Sequence, residues 1–381
     1  MRVLHVMASD QRRGAEMFAA DLIPHLAGLD VNQRVAVLRA TDGPSVRYGV
    51  PASVLWSGGQ RDTRVRMRVR SVRALARLVR EWRPDIIQAH GGEALKYAVL
   101  GVPGANGRLV YRRIGAWPKT IVGARLTTYG LMMRRAGRVV AVGDALRRET
   151  VEVFHVAPDR VVSIPNGVEL SRLKPSRERN WTRRDLRIPP RAEVILSLGA
   201  LSWEKDPLAH LEVCARVFSA RPRAVQLFVG DGPLRAAVQE GITRLGLIRR
   251  VQVLGARADV ADLLAASDIL LLASRVEGMP GTAIEAGVAG VPVAGFAVAG
   301  LPEVIRDGET GRLITPARID ALAESVVDLL SHPSMRREMG RRAQERCRNL
   351  FDIREVAPRY LALYEDLLGR RRPTAHVESG P

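Results

Sequence analysis

The residues best placed to do chemistry lie between Ser274 and Gly311, in SRVEGMPGTAIEAGVAGVPVAGFAVAGLPEVIRDGETG. An apolar run ending at Ala273 leads into Glu277, Gly278, Met279, Pro280 and Gly281, and a helical pattern begins near Thr282. Small residues before a helix let the backbone approach an anion. The unpaired amides of the first turn, with the helix dipole, then present about half a positive charge to it. This is a phosphate site that needs no side-chain cation. Glu277 and Glu285 stand eight positions apart, one in the loop and one just over a turn inside the helix, so both can face one cleft. Carboxylates do not hold a phosphate's charge. They accept hydrogen bonds from sugar hydroxyls, each worth about 1.5–3 kcal/mol. A nucleotide sugar, with hydroxyl-rich rings on either side of a diphosphate, satisfies both demands.

Such a site has to be held by regular elements, and the chain alternates them. RVLHVM (Arg2–Met7) reads as a strand, followed by a turn through Gly14 and a helix in AEMFAADLIPHLAGL. Further strands are expected at 34–38, 85–89, 109–112, 138–142 and 161–164, then at 194–198, 226–229, 251–254, 269–273 and 292–295, with helical segments between them. This rhythm implies βαβ units and an α/β fold of parallel sheets covered on both faces. With 381 residues the chain is too long for one ordinary core and suits two domains. The charged, proline-containing segment SRLKPSRERNWTRRDLRIPP, 171–190, is the expected linker. It separates a first domain at 1–170 from a second at 191–351. A last helix, about 352–369, is expected to pack back on the first domain, and 370–381 to fray. The open carboxyl ends of the two sheets then face one another across a cleft.

Composition narrows the function classes. Apolar residues make up 46% of the chain, which excludes wholesale disorder. The longest uncharged stretch, Ala286 to Pro302, contains Pro292 and four glycines, so no bilayer span is expected. The N-terminal apolar run is too short for a signal peptide, and Cys214 and Cys347 are isolated, which together point to a reducing cytoplasm. The net charge is +19. Residues 1–175 carry 29 basic and 14 acidic residues, and 176–381 carry 30 and 26. The positive field therefore belongs mainly to the first half. The segment GGQRDTRVRMRVRSVRALARLVREW reads as a basic helix with Val69, Val72, Leu75, Ala76, Leu78 and Val79 on one side. Two uses are open to it: a helix packed on its sheet, or an arginine face docked on an anionic inner membrane surface. Nucleic acid is not expected as a partner, because the basic stretches carry no interleaved aromatics and match no binding module.

The Glu277 to Glu285 pattern in EGMPGTAIEAGVAGVPV, followed by GLPEVIRDGETGRLI, resembles the signature of glycosyltransferase family 4, retaining enzymes of the GT-B fold. RRGAE, DIIQAH, VVAVGDALRRE, IPNGV, LGALSWEKDP, FVGDGPL and LGARADVADLLAASDILLLAS resemble further family segments in the right order, over nearly the whole chain. The resemblance implies two Rossmann-like domains and a nucleotide-sugar donor, with uridine diphosphate sugars favoured over guanosine diphosphate mannose. It implies no further cofactor and no metal. It places Lys205 on the donor phosphates, Glu285 on the donor ribose, and Glu277 with the backbone of Gly278–Gly281 on the transferred sugar. Gly14 closes over the diphosphate, and Gly199, Gly255, Arg257, Met279, Pro280 and Thr282 complete the donor side. His90, Lys205 and Glu277 stand nearest the reacting centre, and Arg13 and Glu16 lie on the acceptor side.

Two departures from the family pattern matter. Gly199 is followed by Ala200 where many members have an arginine, which removes a phosphate cation unless Arg12, Arg13 or Arg275 supplies one. LVYRRIGAWP carries Arg112 and Arg113 where many members have a histidine, and these two are expected to recognise a negatively charged acceptor. The implied reaction is sugar transfer with retained configuration to a glycan, polysaccharide or lipid-linked acceptor in envelope or exopolysaccharide synthesis. Its main task is stabilising the leaving diphosphate. Two alternatives stand beside it: a nucleotide-sugar epimerase, which needs no acceptor, and a weakly catalytic nucleotide-sugar-binding subunit.

Overall fold

The computed structural model describes residues 1–40, 45–56, 64–117 and 122–369. The start of the basic segment, 58–63, and the tail expected to fray, 370–381, lie outside the described residues.

Strands β1 (Arg2–Met7), β2 (Asn32–Val37), β3 (Ala52–Val54), β4 (Ile86–His90), β5 (Leu109–Arg113), β6 (Arg138–Ala141) and β7 (Val161–Ser163) form one sheet in the order β3-β2-β1-β4-β5-β6-β7. A second sheet contains β8 (Glu193–Leu198), β9 (Ala224–Val229), β10 (Val251–Val253), β11 (Ile269–Leu272), β12 (Val293–Phe296) and β13 (Gly311–Ile314), in the order β10-β9-β8-β11-β12-β13. All strand pairings are parallel. The central strands read as unbroken apolar runs because helices cover both faces, as in ILLL of β11, buried throughout. This is the expected α/β architecture of two doubly wound sheets. Strand order reverses between β1 and β4 and again between β8 and β11, and crevices open at those two points.

Two edge strands lie outside the expected set. ASV of β3 is exposed at every position and GRLI of β13 buries only its first, so neither shows the run or the alternation that marks a strand.

Helix Arg64–Trp82 buries Leu75, Val79 and Trp82 in the first core and exposes Arg73, Arg77 and Arg80. Val69, expected on the packed side, is 46% exposed. The last helix, Ile353–Leu367, places Val356, Ala357, Tyr360 and Tyr364 among Val3, Phe18, Leu22, Ile86, Val110 and Val140 of the first sheet's core. The chain thus crosses back after the second sheet. Its return is marked where Val168 and Asp352 pair as a parallel bridge. Among the described residues no helix is long and apolar enough to cross a membrane.

Candidate active site between the two sheets

At the β8/β11 crevice, Lys205 and Glu277 come together. The Lys205 ammonium donates to both carboxylate oxygens of Glu277, at 2.6 and 2.7 Å, and Ser274 Oγ donates to Oε1 at 2.7 Å. Glu277 is buried and Lys205 partly exposed, so the pair sits at the wall of the cleft with the cation on its outer side. Gly199 follows β8 directly and lies beside the lysine stem. Its carbonyl leaves no room for a side chain at Gly230, where a Cβ would stand 1.9 Å from it, so the glycine of FVGDGPL sets the path of the Lys205 loop. Gly255 holds Gly230 from the other side by accepting its N–H at 2.8 Å.

His210, which sequence reasoning missed, fixes the crevice from beneath. It lies on helix Pro207–Ala220; its Nε2 accepts from Ala273 N at 2.8 Å, so the other ring nitrogen carries the proton and donates to Ser197 Oγ at 2.7 Å. One neutral ring therefore ties the ends of β8 and β11 together. Burial, and after it the nearby Lys205 charge, lower its pKa to about 3. The unfolded chain binds this proton below its ordinary value near 6.5 and the folded chain does not, so the contribution is intact above about pH 6.5 and is lost as pH falls toward 3. In denaturant titrations between pH 7.5 and 4.5, the parent is expected to lose more stability on acidification than His210→Gln. Equal losses in the two proteins would contradict this.

The loop after β11 meets the first sheet directly. Gly115 and Gly278 form an antiparallel bridge, Ala116 N donates to Glu277 O at 3.3 Å, and Asn166 Nδ2 donates to Met279 O at 2.6 Å. Helix Gly281–Val288 starts after Pro280 with no side-chain cap, and Thr282 Oγ1 is buried there without a partner among the described residues. Ala283 N donates to Pro280 O at 3.1 Å, which leaves the amides of Gly281 and Thr282 to meet an anion.

Glu285 lies one turn further along. It pairs with Arg172 at 2.9 Å, and the same guanidinium holds Asp21 at 2.9 and 3.2 Å. Burial raises the Glu285 carboxyl above its ordinary range against the pull of Arg172. Arg172, Arg12 and Arg47 line a cavity of about 370 Å³ with Asp21, Met17 and Ser45, beside the uncapped start of helix Gly14–Ala27. Gly14 and Arg13 are exposed at that start. Glu16 is buried, receives Ser9 Oγ at 3.4 Å, and has its pKa raised by burial.

His90 ends β4 and is 1% exposed. Its Nε2 lies 3.1 Å from His5 Nδ1, and its own Nδ1 has no partner among the described residues. Burial, with His5 and Arg112 nearby, holds its pKa well below the ordinary value, so the ring is neutral near pH 7. It can hydrogen-bond a substrate oxygen but brings no charge.

Two expectations are corrected. Arg113 is 2% exposed and donates to Leu146 O, Thr150 Oγ1 and Glu149, so its guanidinium anchors helix Asp144–Glu152 and is not presented to an acceptor. Arg112, at 1%, lies 3.6 Å over the Phe18 ring and donates to Asn166 Oδ1, which places it below the cleft floor behind the residue that holds Met279. Of the cations considered as replacements for the arginine missing at Ala200, Arg275 is engaged by Asp206 at 2.5 Å. Arg257 also has a partner of its own, Asp259, at 2.6 and 2.8 Å.

Two family models match the chain: Glycosyltransferase Family 4 over residues 12–172 and Glycosyl transferases group 1 over 178–346. Among curated proteins, the chain is 29% identical over 230 residues to the N-acetyl-alpha-D-glucosaminyl L-malate synthase of Bacillus anthracis, covering 60% of each. It is 30% identical over 234 residues to the D-inositol 3-phosphate glycosyltransferase of Kineococcus radiotolerans, covering 56% of this chain and 54% of that one. These matches thus span little more than half the length of either relative. Among solved structures, Anabaena Alr3699/HepE in complex with UDP and glucose superposes with a TM-score of 0.82 at 22% identity, over 96% of this chain and 100% of that one. WaaG, a glycosyltransferase involved in lipopolysaccharide biosynthesis, superposes with a TM-score of 0.79 at 18% identity, over 96% and 100%. The chain belongs to the family 4, group 1 glycosyltransferases and has their two-lobed GT-B fold.

Proposed function

We propose that this protein moves a sugar from a nucleoside diphosphate sugar to a hydroxyl of an acceptor, with retained anomeric configuration. The observation that carries the reading is the Lys205–Glu277 pair at the mouth of an uncapped helix, at the strand-order reversal of the second sheet. Without donor, each charge neutralises the other. With donor, the ammonium turns to the diphosphate, where a point cation with three donors suits a leaving phosphate oxygen, and Glu277 is freed for the sugar hydroxyls. The amides of Gly281 and Thr282 meet the same diphosphate. Glu285 takes the ribose hydroxyls once Arg172 gives up its share of the carboxylate.

The bond from the anomeric carbon to the diphosphate oxygen breaks, the acceptor oxygen bonds to that carbon on the same face, and the acceptor proton passes to the departing diphosphate. Charge develops on the leaving group, which is where Lys205 and the helix amides stand. Glu277 and Glu285 are sugar and ribose ligands, not the acid and nucleophile of a glycosidase.

Uridine diphosphate is the favoured nucleotide, supported by the related Anabaena structures with UDP and UDP-glucose. The acceptor is a glycan or a lipid-linked sugar in envelope or exopolysaccharide assembly. The exposed arginines of helix Arg64–Trp82 suit an anionic membrane face where such an acceptor sits.

Uridine diphosphate at 100 times its dissociation constant is expected to add about 2.7 kcal/mol of stability. Transfer from a uridine diphosphate sugar is expected to persist in excess EDTA, because Lys205 and the helix amides already meet the diphosphate charge. No thermal stabilisation by any nucleoside diphosphate would overturn the reading. Turnover lost to chelator and restored by Mg²⁺ would overturn its metal-independent form.

A further inference from the structure

Glu303 reaches across the cleft. It belongs to a four-residue helix, Leu301–Val304, in the second lobe, and its carboxylate accepts from the backbone N–H groups of Asp144 and Ala145 in the first, at 2.8 and 2.9 Å. Those are the first two residues of helix Asp144–Glu152, whose N-cap, Gly143, supplies no side-chain hydrogen bond. The helix start is therefore capped from the other lobe, where a carboxylate is favoured by the open amides and by the dipole.

The contact is built tightly on both sides. A Cβ at Gly143 would stand 2.7 to 2.9 Å from the Glu303 carboxylate atoms, so a larger residue there would push the carboxylate back from the amides. Arg346 holds the Glu303 and Val304 carbonyls at 2.9 and 3.1 Å and fixes the small helix to the body of its lobe. Gly300 N donates to Gly278 O at 2.7 Å, and Glu303 N to Gly300 O at 3.2 Å. An unbroken run of bonds thus leads from the loop carrying Glu277 to the first lobe.

We infer that Glu303 is a positioning residue that latches the two lobes closed and sets the Glu277–Gly281 loop against the first sheet when they meet. Its effect on turnover rests on the proposed transferase reading; its effect on closure does not. The bond run gives the loop and the latch a common position: a lobe that swings away loses the Glu303 cap and the Gly115–Gly278 bridge together.

The test uses the whole chain and four variants: Glu303→Ala, Glu303→Gln, Gly143→Ala and the double variant Gly143→Ala/Glu303→Ala. Gly143→Ala keeps the carboxylate in the chain but pushes it back from the amides. In small-angle scattering with and without uridine diphosphate, Glu303→Ala and Gly143→Ala are each expected to give a larger radius of gyration than the parent. The double variant should match the larger of the two, and Glu303→Gln, which keeps one acceptor oxygen, should fall between. With a uridine diphosphate sugar, turnover should fall roughly tenfold in Glu303→Ala, while uridine diphosphate affinity stays within about threefold. Scattering profiles for Glu303→Ala and Gly143→Ala superimposing on the parent's would overturn the latch, whatever turnover does. A parent that fails to bind any nucleoside diphosphate, yet opens in these variants, keeps the latch and removes the transferase reading.

Discussion

Replacing Lys205 with methionine is expected to reduce sugar transfer by about a hundred- to a thousandfold, the range found when one preorganised stabiliser of developing charge is removed. In the proposed reaction that charge is on the departing diphosphate. The substitution also leaves the Glu277 carboxylate buried with Ser274 as its remaining polar partner, and an uncompensated buried charge is destabilising. Lys205→Met alone therefore confuses two effects. Adding Glu277→Gln removes the stranded charge, so the double variant is expected to recover most of the lost melting temperature and none of the turnover. Initial rates and melting curves for both proteins decide it. Recovery of turnover along with stability would show that Lys205 serves only to neutralise Glu277.

The second large effect is expected at Gly278. A Cβ there would lie 2.0 Å from the backbone carbonyl oxygen of Ile114, across the bridge that joins the lobes. Backbone cannot yield as a side-chain tip does, so Gly278→Ala must displace the loop that carries Glu277 or hold the lobes apart. A misplacement of about 1 Å near reacting atoms costs on the order of a hundredfold in rate, and forced overpacking about 1–3 kcal/mol. At Gly281, three residues on, a Cβ would meet nothing within 4 Å. Gly281→Ala is therefore expected to melt with the parent, and Gly278→Ala several degrees lower with turnover down about a hundredfold. A fully active Gly278→Ala would mean that the lobes need not meet at this bridge during catalysis.

Much of this architecture is legible in the residues because parallel strands buried on both faces leave unbroken apolar runs. β11 announces itself in this way, and the strand at Arg2–Met7 does so with His5 as the one polar break inside its buried run. The edges β3 and β13 do not, since short exposed strands owe their existence to a neighbour's hydrogen bonds. The Glu277 to Glu285 frame is legible as well, because loop and helix are contiguous. What those carboxylates touch is not. Arg172 lies 113 positions from Glu285 and Lys205 lies 72 from Glu277, pairings that only the finished fold creates.

Arg112 and Arg113 mislead for a related reason. Two adjacent arginines read as a surface, yet neighbouring strand residues point to opposite faces of a covered sheet, and each finds a buried niche of its own. Arg112 lies over Phe18, and Arg113 reaches the helix beyond β6. His210 carries no local signal at all: its partners, Ser197 and Ala273, end two strands 13 and 63 positions away.

The most direct test of the central claim is a crystal structure of the protein with a uridine diphosphate sugar bound. The diphosphate is expected at the N-terminus of helix Gly281–Val288, with the Lys205 ammonium turned from Glu277 to a phosphate oxygen and Glu277 on the sugar. A diphosphate seated instead among Arg12, Arg47 and Arg172, with the Lys205–Glu277 pair intact, would contradict the account.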